Sequence, residues 1–216
     1  ARLLVLGLAP AAHGANRNDG VSAIEKFVPI FLDLLAWEAE RQRTIMHPLY
    51  DSFANKFPIS VGKLRSGDWA STVPDKLVAE GRLGFIPGES MESMMEQAQA
   101  RIAAVADQDE WLREHPPVLK FFSGQFVAEE IAPDHPLTLA MLKAHKEING
   151  EDTEIFALTA GTDARLWIHF ADRPALLYGG GVFHMAHQSD EYIEIEPFLD
   201  SIAVLTQMAI DWCGIA

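Results

Sequence analysis

Along residues 2–122 the apolar side chains switch between the short period of a strand and the longer period of a helix in a fixed order, and that order admits few folds. Residues 2–8 are a short apolar run, the pattern of a buried strand. A Gly/Asn/Asp turn from Gly14 to Gly20 follows. Ile24, Phe27, Val28, Phe31, Leu34 and Leu35 then recur at steps of three and four, which is one face of a helix reaching about Arg43. Pro29 falls inside it and is expected to kink it, because proline has no N–H to give to the carbonyl four residues back. Strands are expected over 57–65, where Ile59 and Val61 alternate with polar or small neighbours, and over 77–86, ending at a Pro-Gly stop. Ser90 is placed to cap a second helix with Met91, Met94, Met95, Ala98, Ile102 and Val105 on its apolar stripe. An irregular segment runs to Pro116-Pro117, and Val118 to Phe122 make a fourth strand. Strand, helix, strand, strand, helix, strand is the split pattern of a ferredoxin-like α+β domain, with both helices on one face of a four-stranded sheet. Gly124 is a natural boundary, giving a first domain of residues 1–124.

Residues 125–216 follow another rhythm. A helix is expected over 136–148 with Asn149-Gly150 as its stop, then a strand at 154–159, a helix at 163–171 and a strand at 174–178. The last helix has Pro197 in its first turn and Phe198, Leu199, Ile202, Leu205, Met208 and Trp212 along one side. This reads as part of an α/β sheet domain that cannot close a core by itself. Cys213 lies near the end of that helix, where a buried thiol is expected.

Composition removes several functions. A formal charge of −14, with 17 scattered Lys and Arg, repels phosphates and argues against nucleic-acid binding. One cysteine cannot form an internal disulfide or a cysteine metal cluster. No apolar stretch approaches the roughly 18 residues of a membrane span, so a soluble, cytoplasmic protein is expected. The chain begins without Met, and its start only faintly imitates a signal peptide, with a short apolar run and no convincing cleavage site, so it is expected to start within a longer polypeptide.

Four segments carry residue types suited to chemistry. His187-Gln188-Ser189-Asp190-Glu191 follows the Gly179-Gly180-Gly181 run; a loop imidazole there can ligate zinc while a nearby carboxylate holds it, and His184 is three residues away. Taken alone, a loop histidine among acids is more often plain polar surface. His13, in Ala11-Ala12-His13-Gly14, can donate to a substrate oxyanion or simply occupy a turn. Gly161-Thr162-Asp163-Ala164-Arg165 opens a helix, where N–H groups and a hydroxyl suit a carboxylate, or cap the helix. Glu129-Glu130 has the form of a general-base pair, but a solvated linker fits better.

In order, Ala12-His13-Gly14 with Gly20-Val21-Ser22-Ala23-Ile24-Glu25-Lys26, then Ser71-Thr72-Val73-Pro74-Asp75, Leu83 to Glu89, Gly161 to Arg165 and His187 to Glu191 resemble segments of the dinuclear-zinc amidohydrolases: acetylornithine deacetylase, succinyl-diaminopimelate desuccinylase, aminoacylase and glutamate carboxypeptidase. The branch most suggested by the resemblance is the acetylornithine deacetylase-like one. The resemblance implies a ferredoxin-like lid that makes a homodimer through residues 1–124. It implies that 125–216 is the C-terminal part of a zinc-peptidase-like α/β domain whose N-terminal half is missing. The implied reaction is hydrolysis of the amide bond of a small N-acyl amino acid by zinc-activated water, with two zinc or cobalt ions in the intact enzyme. Residue by residue, it makes His187 a metal ligand and Glu191 the support of its loop. It places Thr162 and Arg165 near the substrate's carboxylate and sends His13 into the partner's active site to stabilise the oxyanion.

Two features set limits. No His-x-Asp, the family's first ligand motif, occurs in the sequence, and Ser71 stands where the family has a substrate-contacting Asn. This chain alone is therefore expected to be inactive and not to hold its metals fully. The alternatives are a non-catalytic dimerisation module, a degenerate homologue without the metal site, or an unrelated ferredoxin-like binding domain.

Overall fold

A computed structural model describes residues 2–122 and 124–214. The chain forms two compact units, Ala1–Ala128 with Ala157–Gly161, and Glu129–Phe156 with Thr162–Ala216. The fold is mixed α/β, as the order of sequence periods implies.

The first unit is built on strands β1 (Arg2–Leu8), β3 (Ile59–Ser66), β5 (Lys76–Leu83) and β6 (Val118–Phe122), with helices α1 (Ala23–Thr44) and α2 (Met91–Ala106). Sheet order is β3-β5-β1-β6 and every pairing is antiparallel: Leu4 lies opposite Glu80 on one side and Lys120 on the other. That is the ferredoxin-like topology. A β-bulge interrupts β3 between Val61 and Lys63. Opposite it, a Cβ on Gly81 would collide with the Ser60 carbonyl oxygen, so only glycine lets the strands approach there.

Both helices pack on one face of this sheet. Phe27, Ile30, Leu34 and Trp37 of α1, Met94, Ala98 and Ile102 of α2, and Leu77, Ala79 and Leu83 of β5 form one continuous core. The period-two spacing along β5 puts its apolar residues on the helix side. Ser22 caps α1 through the Glu25 N–H, and Ser90 caps α2 through the Ser93 N–H. The α1 helix is continuous through Pro29.

Three features depart from the expected elements. The strand expected over 77–86 ends at Leu83, and Ile86 joins Tyr50, Phe57 and Ala157 in a second small core. A two-residue ribbon pairs β2 (Ala12–His13) with β4 (Thr72–Val73). The segment expected to be irregular contains a short helix, α3 (Glu110–Glu114), capped by the Asp109 carboxylate.

In the second unit, α4 (Pro136–Asn149) starts under the His135 ring, whose Nδ1 accepts from the Leu137 N–H, and stops at Gly150 with φ of 78°. Helices α5 (Ala164–His169) and α6 (Ile195–Cys213) follow. Met141 and Ala144 of α4 meet Val204 of α6 in a small core flanked by Leu176, Tyr178 and Met208.

The strands expected at 154–159 and 174–178 are not strands. In the first unit, the Leu158 carbonyl accepts from the Tyr50 hydroxyl at 3.2 Å and the Thr159 carbonyl from Arg82 at 2.7 Å. Side chains thus take acceptors that a neighbouring strand would otherwise use. In the second unit, Tyr178 is tied to α4 through its hydroxyl, 2.6 Å from His145 Nδ1. Cys213 is exposed rather than buried, because it lies on the side of α6 turned away from α4. Among the described residues no helix is long and apolar enough to cross a membrane.

Candidate active site

His13 belongs to the first unit; Glu129, Thr162, Arg165, His187 and Glu191 belong to the second. His13 ends the β2 ribbon strand, opposite Thr72, and its ring is exposed. Its Nδ1 accepts from the Ala15 N–H at 3.1 Å, which opens a 3-10 turn over Gly14–Asp19. That bond fixes Nδ1 as an acceptor, so a neutral ring carries its proton on Nε2, the atom able to donate outward. The β2–β4 ribbon therefore holds an imidazole donor at the edge of the unit.

The Gly161–Arg165 segment splits between the units at its first residue. Within the second unit, Thr162 Oγ1 is 2.9 Å from Glu129 Oε1 and accepts from the Ala164 N–H at 3.2 Å. Arg165 Nη1 donates to the Thr162 carbonyl at 2.9 Å and to Asp163 Oδ1 at 2.7 Å. Glu129 is half-buried and bonded to this loop, so it is not the solvated linker residue expected from sequence. Nothing local in the sequence links positions 129 and 162; only the fold does. The helix that begins at Ala164 has six residues, so its dipole adds little at the loop.

His187 lies in a loop closed at its base by a β-bridge between Gly181 and Ile193. Before the base, a Cβ on Gly180 would collide with the Pro197 carbonyl at the start of α6, so the glycine run lets the chain pass close to that helix. His187 has φ of 67°, a left-handed conformation uncommon outside glycine. The Glu191 carboxylate accepts from the His187 N–H at 3.1 Å and Gln188 donates to the His184 carbonyl at 2.7 Å. These bonds hold the loop while leaving the His187 ring exposed. Among the described residues, no group of three or more His, Cys, Asp or Glu side chains converges.

Residues 8–110 match the peptidase dimerisation domain. The chain is 28% identical over 212 residues to N-formyl-4-amino-5-aminomethyl-2-methylpyrimidine deformylase of Bacillus subtilis, covering 94% of this chain and 49% of that protein. The corresponding deformylase of Halalkalibacterium halodurans is 25% identical, with 93% of this chain and 48% of the relative covered. The chain thus spans about half the length of these curated relatives. Among solved structures, aminopeptidase PepT from Bacillus cereus superposes with a TM-score of 0.68 at 15% identity, over 96% of this chain and 50% of the other. An M20-family metallo-carboxypeptidase from Sulfolobus solfataricus gives 0.67 at 13% identity, over 96% and 57%. Residues 8–110 are thus similar to a peptidase dimerisation domain, and the chain shares its fold with aminopeptidase PepT and an M20-family metallo-carboxypeptidase.

Proposed function

We propose that this chain is part of a metal-dependent amidohydrolase that cleaves the amide C–N bond of a small N-acylated amine, N-acyl amino acids included. The observation that carries the reading is the alignment of two deformylases along more than nine-tenths of the chain, across both units. In this reading His187 contributes one metal ligand and Glu191 keeps its loop in the left-handed turn. Thr162 and Arg165 face the substrate. His13 donates from Nε2 to the oxyanion in the partner's site, within a homodimer formed through residues 1–124. The C-terminal part of the chain, residues 125–216, supplies the catalytic part, and the location is cytoplasmic.

A catalytic zinc takes three protein ligands and a water. His187 with its neighbours does not provide that set among the described residues. These residues alone do not fit a metal pair, and the metal's share of the reaction belongs to the intact enzyme.

The test is hydrolysis of N-formylbenzylamine by the intact enzyme, before and after chelation. Amine release that falls at least about a hundredfold on chelation, and is lost in His187→Ala, supports the reading. Release unaffected by chelation, or by His187→Ala, overturns it. A protein that dimerises but hydrolyses no amide is a dimerisation module instead.

A further inference from the structure

The chain reaches Thr162 from the segment Ala157–Gly161, which belongs to the first unit. This segment is not a strand, yet four of its five residues are held in place. Ala157 is 7% exposed, in the small core with Tyr50, Phe57 and Ile86. The Leu158 carbonyl accepts from the Tyr50 hydroxyl at 3.2 Å, and the Thr159 carbonyl from Arg82 Nη2 at 2.7 Å. At Gly161 the Phe126 ring lies so close that a Cβ would stand 2.6 Å from it. The two donors come from 108 and 77 residues away, and both stand on fixed parts of the first unit. The Tyr50 ring is buried, with His47 edge-on to it and Phe53 beside it. Arg82 lies on β5, between β3 and β1 in the sheet. A binding loop is placed only as well as the scaffold from which it springs, and Thr162 is the next residue along this anchored segment.

We propose, on the reading that Thr162 and Arg165 face substrate, that Tyr50 and Arg82 are positioning residues for substrate binding. By holding the Leu158 and Thr159 carbonyls, they fix the point from which the Thr162–Arg165 loop starts. Both act through that loop, and neither touches substrate.

The test uses the intact enzyme with N-formylbenzylamine and N-formylglycine. Thr162→Ala combined with Arg165→Ala is expected to raise KM for at least one of these amides, and that amide is the probe. Tyr50→Phe removes only the hydroxyl, and Arg82→Met only the donors. Each is expected to raise the probe's KM about fivefold while kcat stays within about twofold. A loss of folded protein lowers kcat and leaves KM alone, so the split separates positioning from a general structural role. Arg82→Lys keeps a donor and should recover part of the rise. In the background lacking the Thr162 and Arg165 side chains, Tyr50→Phe and Arg82→Met should change KM by less than about twofold, because the groups through which they act are gone. An unchanged KM in either single variant, a full effect persisting in that background, or a background that raises neither KM overturns the inference and leaves amide hydrolysis standing.

Hydrogen exchange in the 216-residue chain gives a second arm that needs no turnover. The Ala164 N–H, bonded to Thr162 Oγ1 at 3.2 Å, is expected to exchange about fivefold faster in Tyr50→Phe and in Arg82→Met, with Ile30 in the first core unchanged. Faster exchange at Ala164 without hydrolysis of either amide upholds the anchoring and overturns the hydrolase reading. Exchange at Ala164 equal to that of the unsubstituted chain overturns the inference.

Discussion

The two units place their apolar residues in opposite ways. In the first, two helices and a sheet enclose Ile30, Leu34, Leu77 and Met94 almost completely. In the second, α4 covers one side of α6, while Phe198, Leu199, Ile202 and Leu205 stand exposed on other sides of the same helix. A helix that is apolar all round is one that stable proteins cover all round. The first unit thus meets its own packing requirement and the second does not. The difference is a matter of layers: a sheet with two helices is two full layers, whereas two packed helices with a largely irregular segment between them leave most of their surface in water.

The sharpest way to break this comparison is to ask whether the units unfold together. Leu34 is buried in the first core, and Leu34→Ala is expected to remove about 3 kcal/mol of stability there. In urea the chain should unfold in two steps, with Trp167 and Trp212 reporting an early step and Trp37 and Trp111 a late one. The substitution should move only the late step. A single step shared by all the tryptophans would mean that the units are one cooperative body.

A comparable loss is expected at Arg41, which is 3% exposed. Its guanidinium donates to the Gly84 carbonyl at 2.7 Å and to Glu89 at 2.6 Å, and lies over the Phe57 ring. Burial lowers its pKa, and the Glu89 carboxylate works in the other direction. Arg41→Ala leaves Glu89 without its partner and should cost about 3 kcal/mol in the late step. Arg41→Met combined with Glu89→Gln should recover part of that loss. A double variant as unstable as the single one would remove the ion pair from the account.

How much of this was legible in the sequence follows the same division. The first unit's strands and helices declared themselves because each has a solvent side and a core side, so periodicity records the burial. Ser22 and Ser90 sat where caps are needed. Residues 154–159 and 174–178 had strand-like composition, but a strand also needs a ladder partner. Tyr50 and Arg82, far off in sequence, take the carbonyls of the former. For the candidate site, His13, Thr162 and His187 could be picked from local motifs. The Glu129 contact could not, because 33 residues separate it from Thr162 and no spacing rule connects them.

A smaller effect probes the second core directly. Val204 is fully buried against Met141 and Ala144. Val204→Ala removes two methyl groups and should cost about 1.5 kcal/mol, read in the early urea step alone. If the loss matched that of Leu34→Ala, the second core would be as well packed as the first, and the contrast between the units would fail.

The smallest expected effect is electrostatic and separates the units by pH. Burial opposes ionisation of Asp109, but the Lys26 ammonium at 2.6 Å and the N–H groups of Leu112 and Trp111 outweigh it, holding this carboxyl below its ordinary pKa. A carboxylate whose pKa is lower folded than unfolded adds stability that is fully present above the unfolded value, about 4. That stability is lost as pH falls through the folded value. The late step should therefore weaken on acidification below about pH 4, and Asp109→Asn should remove that part of the slope while costing at most about 1 kcal/mol at neutral pH. In the second unit the Lys143 ammonium also lowers Asp211, but Lys143 is far more exposed than Lys26, so added salt screens that pair more strongly. The early step should accordingly lose its acid dependence in high salt while the late step keeps it. Equal sensitivity of both steps to salt would place the Lys26–Asp109 pair at the surface as well, and would take away the electrostatic difference between the units.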